Sequence, residues 1–368
     1  MPTLHKLAGF LIVCAVVLGL TLPGARRDEK PPADAARAAQ RGKASPGVTA
    51  TARPAGAATP SATPTGPVKI GAASPAAVSA KANELGEIPV LMYHRIMKKT
   101  ELSLDRSVTE FRNEVTRLAK EGYVPITAAE LVSGRIDVPL GKHPVVLTFD
   151  DSTPGHFGLD AQGRPKPDTA VAILMEVAAK FPGFRPVATF YLNDDLFGMG
   201  DQAGAGLKWL QQHGFDLGNH TVSHPDLSQL SQKEVQKEIG GMESKIFSLT
   251  GTHAATLAYP FGSVPEKRSW AQKKDGEYDF KGVLLAGWKP SGSPFDKDFD
   301  PFAILRVRSE GKISENDCRE FCSIAWLDKL NKDPDTRYTS DGDPNTISFR
   351  ASDERLLAKK YRPFGRSY

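Results

Sequence analysis

Beyond about Glu87 the chain alternates two kinds of hydrophobic pattern. Short runs such as "IPVLMYHRI" from Ile88, "PVVLTF" from Pro144, "PVATFYL" ending at Leu192, "FDLGNH" ending at His220 and "KGVLLAG" ending at Gly287 are apolar with little polar interruption, as in strands buried on both faces. Between them lie stretches with helical spacing. "SVTEFRNEVTRLAKEGY" places Phe111, Val115 and Leu118 on one face and has Gly122 as its stop signal. "PDTAVAILMEVAAKF" and "GLKWLQQHG" follow the same period, and "SQKEVQKEIGGMESKIFSLTG" opens with a capping box of Ser231 and Glu234. A short strand and helix in "VPITAAELVSGRI" and a strand end in "ATLAYPFG" complete the series.

Alternating short strands and amphipathic helices predict βαβ units around a parallel sheet, with enough strands to close a barrel. In such a barrel the reactive groups collect at the carboxyl ends of the strands. Those ends carry His94, Asp150 with Asp151, Asn193 to Asp195, His220, and Tyr259 to Gly262.

The rest of the chain changes the picture in three places. Residues 7–22 form an apolar run with Lys6 before it and Arg26 and Arg27 after it, so residues 1–25 read as a secretory signal or an N-terminal membrane anchor. Residues 26–86 are rich in Ala, Pro, Gly, Thr and Ser, a composition that predicts a disordered tether. Residues 87–368 are then expected to form one catalytic domain, outside the cytoplasm and either secreted or anchored to the membrane by the N-terminal segment. The net charge of +4 is spread among both signs without a basic stripe, which argues against nucleic-acid binding. Of three cysteines, Cys318 and Cys322 lie in "SENDCREFCSIAWLDKL", which reads as a helix capped by Ser314. Four positions apart on a regular helix, their thiols are too distant for a disulfide and read as packed small hydrophobes, with a redox pair or a metal site as the alternatives. Oligomeric state is not legible.

Two adjacent aspartates at the end of a buried strand repel one another, and a cation is the obvious compensation. "GNHTVSHPDLSQLS" supplies His220 and His224, four positions apart and able to converge on one point. One carboxylate and two imidazoles would leave coordination positions open for water and substrate, the pattern of a catalytic divalent metal.

In order and spacing, "TFDD" at Thr148–Asp151, "HTVSH" at His220–His224 and "YPFG" at Tyr259–Gly262 resemble the first three motifs of the NodB-homology polysaccharide deacetylases. The opening "PVLMYHRI" is similar to the poly-N-acetylglucosamine deacetylase subgroup. The resemblance implies a distorted (β/α) barrel and a metal-dependent hydrolase, usually of zinc, with Co2+, Ni2+, Mn2+ and Fe2+ as other suitable ions. Its substrate would be an N-acetylated glycan of the cell wall or an extracellular polysaccharide. It also implies Asp150 as general base, Asp151, His220 and His224 as metal ligands, and the Phe261 backbone N–H as oxyanion donor. The sequence departs from the family at three points: Ser152 stands where Gly is usual, Ala258 where many members have an Arg that pairs with the base, and "ILRVRS" from Ile304 lacks the late His that serves as general acid. Candidates for that acid are His94, His156 and Asp150 itself.

His94, Tyr259, Trp288 and Arg306 are further cleft candidates. Trp288 reads either as a sugar-stacking wall or as core, and Arg306 either as an orienting group for a carboxylate or the glycan, or as a solvated strand residue. His143, His213 and His253 read as surface residues. Two other functions are compatible with the sequence: a non-sugar amide or O-acetyl ester hydrolase on the same barrel, and a non-catalytic glycan-binding member.

Overall fold

The computed structural model describes residues 70–311 and 317–368. The strands and helices alternate as β1 (Val90–Tyr93), α1 (Val108–Lys120), β2 (Tyr123–Ile126), α2 (Ala128–Ser133), β3 (His143–Phe149), α3 (Ala170–Lys180), β4 (Thr189–Leu192), α4 (Ala203–Gln212), β5 (Asp216–Asn219), α5 (Gln232–Thr250), β6 (Thr256–Ala258), β7 (Gly282–Leu284), β8 (Val307–Arg308), α6 (Cys318–Phe321) and α7 (Ser323–Lys332). Capping boxes start α1 at Ser107, α2 at Thr127 and α5 at Ser231, so local hydrogen bonding sets where each helix begins.

The sheet is parallel throughout, in the order β7-β6-β5-β4-β3-β1-β8, with β2 paired to the first half of β3. Its two ends meet across one stretch of chain. Ile304 exchanges backbone hydrogen bonds with Val283 and Leu285 beside β7, and Val307 and Arg308 pair with Leu91 and Met92 of β1. The result is the distorted (β/α) barrel that the resemblance implies, built on the parallel sheet expected from the pattern. Period-two alternation divides the core. Leu91, Tyr93, Leu147, Phe149, Phe190, Leu192 and Leu217 pack outward under the helices. Val90, Val146, Tyr191, Ala258 and Leu284 point inward and meet Tyr338, Ile347 and Phe349 of the C-terminal segment.

The structure corrects three expectations made from sequence. The tether does not extend to residue 86. Gly71–Ala72 pairs in parallel with Arg366–Ser367, Pro75–Ser79 is a helix, and Glu84 is buried, accepting hydrogen bonds from the Tyr338 hydroxyl and the Ser348 amide. Backbone pairing, small alanines and the single buried Leu85 integrate this stretch without the run of large apolar residues that would have marked it. Residues 1–69, with the apolar run and the remaining tether, lie outside the described residues, as does Ser314.

Cys318 and Cys322 are joined as a disulfide. The helix breaks between them: α6 ends at Phe321, and Cys322 is extended (φ −90°, ψ 174°) before α7 begins, bringing the two Cα atoms to 4.6 Å. His143 is buried rather than on the surface, its Nδ1 donating to the Tyr338 carbonyl, because the C-terminal segment covers that end of the barrel.

Candidate active site

The end of β3 is set by backbone conformation. The Asp150 amide donates to the Tyr93 carbonyl, the last link to β1, and then Asp151 (φ 74°) and Ser152 (φ 43°) turn the chain through the left-handed region. Side chains rarely tolerate that region outside functional sites, which explains the usual Gly at position 152. Here Ser152 is held in place: its hydroxyl donates to Asn193 Oδ1 (2.9 Å) and its carbonyl accepts from the Phe197 amide (2.6 Å).

Asp150 is 2% exposed, a costly place for a lone carboxylate. Arg306, 1% exposed, grips it as a fork, with Nη1 to Oδ1 at 2.7 Å and Nη2 to Oδ2 at 2.8 Å. The guanidinium is itself fixed by Nε donating to the Leu285 carbonyl (2.9 Å) and by a position 5.7 Å from the Tyr191 ring centroid. Arg306 therefore orients a carboxylate, and it neither lines the cleft nor is solvated. It supplies from the bridge between β7 and β8 the pairing that Ala258 cannot. Burial alone would raise the Asp150 pKa, but the charges of Arg306 and His220 outweigh it and hold the carboxyl below its ordinary value.

The two imidazoles come from a compact loop after β5. Asn219 accepts from the Thr221 amide (2.9 Å) while its amide group donates to the Ile239 carbonyl and to Glu243, and Thr221 Oγ1 accepts from the His224 amide (3.2 Å). His220 Nδ1 donates to the Ala258 carbonyl (2.8 Å), which leaves Nε2 as the bare nitrogen. Both imidazoles face Asp151: Oδ1 lies 3.5 Å from His220 Nε2 and 3.4 Å from His224 Nε2. Atoms bound about 2.0–2.2 Å from one tetrahedral ion stand about 3.4 Å apart, so this donor set fits a divalent metal. Burial lowers the His224 pKa; at His220 burial acts the same way, but Asp150 and Asp151 outweigh it and raise the value. Glu310, Cys318 and Cys322 also cluster, but their sulfurs are committed to the disulfide.

The remaining residues divide. His94 is half-buried beside these carboxylates, and its buried Nδ1 has no hydrogen-bond partner. His156 is fully buried beneath it with Nε2 bonded to the His94 carbonyl, so it does not reach the cleft. Tyr259 is 1% exposed and belongs to the core, a correction to its reading as a cleft residue. Phe261 is 71% exposed, with its ring centroid 4.4 Å from that of His224. Trp288 is 57% exposed, which removes the core reading. Sequence reasoning missed the Ser152–Asn193 clamp and the Glu243 support of the histidine loop; an unusual Ser in a Gly position was the only available signal.

An α/β barrel with a carboxylate and two imidazoles converging at its strand ends, next to a locked second carboxylate, defines a hydrolase-type site. Residues 137–279, which contain every member of that cluster except Arg306 and His94, match the family model for polysaccharide deacetylase. Similar proteins include YxkH of Bacillus subtilis, 23% identical over 232 residues covering 62% of this chain and 73% of that protein. The peptidoglycan-N-acetylglucosamine deacetylase of Bacillus cereus is 26% identical over 171 residues, 45% of this chain and about half (54%) of the relative. In structure, the Streptococcus pyogenes deacetylase PplD, solved in complex with acetate, shares the fold with a TM-score of 0.50 and 22% identity over 64% of this chain and 98% of that one. The family match thus falls on the stretch that carries Asp150, Asp151, His220 and His224, and over that stretch the chain is similar to polysaccharide deacetylases.

Proposed function

We propose that this chain is a divalent-metal-dependent N-deacetylase of N-acetylglucosamine-containing polysaccharide outside the cytoplasm. The observation that carries the reading is the convergence of Asp151, His220 and His224 at 3.4–3.5 Å beside an Asp150 locked by Arg306. Asp151, His220 and His224 would hold the ion, Zn2+ before Co2+, Ni2+, Mn2+ or Fe2+ by its preference for this donor set. When bound it supplies a Lewis acid for the acetamide carbonyl and a lowered water pKa.

The chain's own residues do the rest. Asp150, ionised at neutral pH, takes a proton from the attacking water as its oxygen bonds to the acetyl carbon. Arg306 keeps the carboxylate from rotating. The Phe261 N–H donates to the developing oxyanion, and its left-handed φ of 56° belongs to the turn that would present it. As the C–N bond breaks, the leaving nitrogen needs a proton. His94 is assigned as the donor, because its Nδ1 has no partner in the protein and it stands beside Asp150 and Asp151; burial lowers its pKa, and the charges of these two carboxylates oppose that lowering. Exposed Phe261 and Trp288 suit pyranose faces. Arg306 supplies the pairing with the base that Ala258 lacks, which speaks against a non-catalytic member. The Cys318–Cys322 disulfide supports an oxidising compartment.

The test is acetate release from a panel of N-acetylglucosamine oligomers, O-acetylated glycans and small N-acetyl amides. The reading expects the N-acetylated oligomers to be preferred. Preference for esters or for amides without a sugar would replace it with another hydrolase.

A further inference from the structure

His156 is a fully buried histidine next to the site for which the proposed chemistry has no use. It follows Asp150 by six positions, and its ring is wedged among Phe149, Phe190 and Phe197, with centroids 5.2, 6.1 and 6.4 Å away. Its Nε2 lies 2.5 Å from the His94 carbonyl oxygen. The reason for that bond lies in β1. The strand ends at Tyr93, whose carbonyl is taken by the Asp150 amide, so His94 is the first residue off the sheet. Its carbonyl needs a donor from elsewhere.

From this arrangement we propose that His156 is a positioning residue: it fixes the backbone of His94 and thereby holds the His94 imidazole against the reacting centre. The inference rests on the proposed role of His94 as proton donor to the leaving amine. A carbonyl oxygen can only accept, so Nε2 carries the hydrogen of His156 and Nδ1 is bare. Burial keeps the ring neutral, with its pKa lowered to about 4, which preserves that tautomer through the working pH range.

The loop that bears His156 is itself anchored. The His156 amide donates to Thr153 and its carbonyl caps α3 by accepting from the Val171 amide. Gly155 lies so close to the chain after His94 that a Cβ there would come within 2.0 Å of the Ile96 carbonyl oxygen. On its other side His94 is flanked by Arg95, forked onto Asp105 at 2.8 Å through both Nε and Nη2. The His94 backbone is thus pinned from before, after and below, while its ring Nδ1 remains without a protein partner. Pinning of that kind is what accurate placement of a transferring group requires.

Two substitutions separate positioning from simple core packing. His156→Phe extends the aromatic cluster but removes the donor, and His156→Gln returns an N–H at the reach of Nε2. On an N-acetylglucosamine oligomer, His156→Phe is expected to lower kcat about 10–100-fold with KM within about twofold and bound metal unchanged, and His156→Gln to restore most of the loss. In a His94→Ala background the Phe substitution is expected to add less than about twofold. Equal losses in both backgrounds, an unaltered kcat in His156→Phe, or a Gln variant no better than Phe would overturn the proposal. Imidazole 15N spectra supply the readout independent of turnover: His94 ring signals should shift in His156→Phe and stay near their wild-type positions in His156→Gln. A wild-type protein that releases no acetate, yet shows this pattern, refutes the deacetylase reading and leaves the positioning intact. Unshifted His94 signals in the Phe variant refute the positioning itself.

Discussion

Replacing Arg306 with Met keeps much of its apolar stem and deletes the charge that faces Asp150. Both side chains are almost fully buried, and the fork between them consists of two bonds of 2.7 and 2.8 Å. Removing one partner of such a pair costs about 3–5 kcal/mol, because the other charge remains in the interior. For a domain of this size about 2 °C accompanies each kcal/mol, so Tm should fall by roughly 6–10 °C. The pH dependence follows from the same pair. In the native protein Asp150 has a depressed pKa despite burial, so it contributes stability above the unfolded value of about 3.9, and that contribution is lost as pH falls through the folded pKa. Without Arg306 burial dominates, the folded pKa rises above the unfolded one, and the ionised carboxyl then costs stability as pH rises. At 1.36 kcal/mol per pKa unit, the lost 3–5 kcal/mol corresponds to an upward move of about 2–4 units in the acid limb of kcat/KM. Arg306→Lys, a point charge without the fork, should fall between the two. Calorimetry and a pH–rate profile on an N-acetylglucosamine oligomer measure both effects. A Met variant with native Tm and an acid limb within half a unit of wild type would refute the idea that Arg306 holds the base.

Three further outcomes are expected. His220→Ala removes one of three donors and the contact to Ala258, so titration calorimetry with Zn2+ should show at least a 100-fold weaker site, whereas an unchanged affinity would place the ion elsewhere. Trp288→Ala should raise KM for tetramers and longer oligomers several-fold while leaving kcat and the KM of a monomer nearly unchanged; an effect on kcat alone would argue against stacking. Reducing Cys318–Cys322 opens a very short loop, so the loss of unfolding free energy should be about 2 kcal/mol by denaturant titration; a loss beyond about 5 kcal/mol would mean that the bridge supports the barrel itself.

Much of this site could be read from order and spacing along the chain. The strand into Asp150 is marked by five consecutive buried apolar or β-branched residues, and the His220 loop follows its own strand, so both ends were placed by local pattern alone. Arg306 was ambiguous for a physical reason. Its role depends on the chain from Ile304 to Arg308 bridging the two edges of the sheet, a long-range fact with no local signature. The disulfide was hidden by a helical period that runs unbroken through Cys322 while the backbone does not. Residues 70–86 looked like tether because their attachment uses backbone pairing, one buried Leu85 and a buried Glu84, whose burial pushes its carboxyl up to about 8, rather than a run of large side chains. Tyr259 shows the converse error: a strand-end position suggested a cleft, and packing into the outer core buried it.

The central claim is that Asp151, His220 and His224 hold one ion for chemistry performed by Asp150. Acetate release from an N-acetylglucosamine oligomer, followed through chelation and stepwise return of Zn2+, tests it most directly. The account predicts release that stops on chelation, returns at one ion per chain, and is absent from Asp150→Asn although that variant still binds the ion. Release that persists undiminished in the metal-free protein, or in Asp150→Asn, would contradict it.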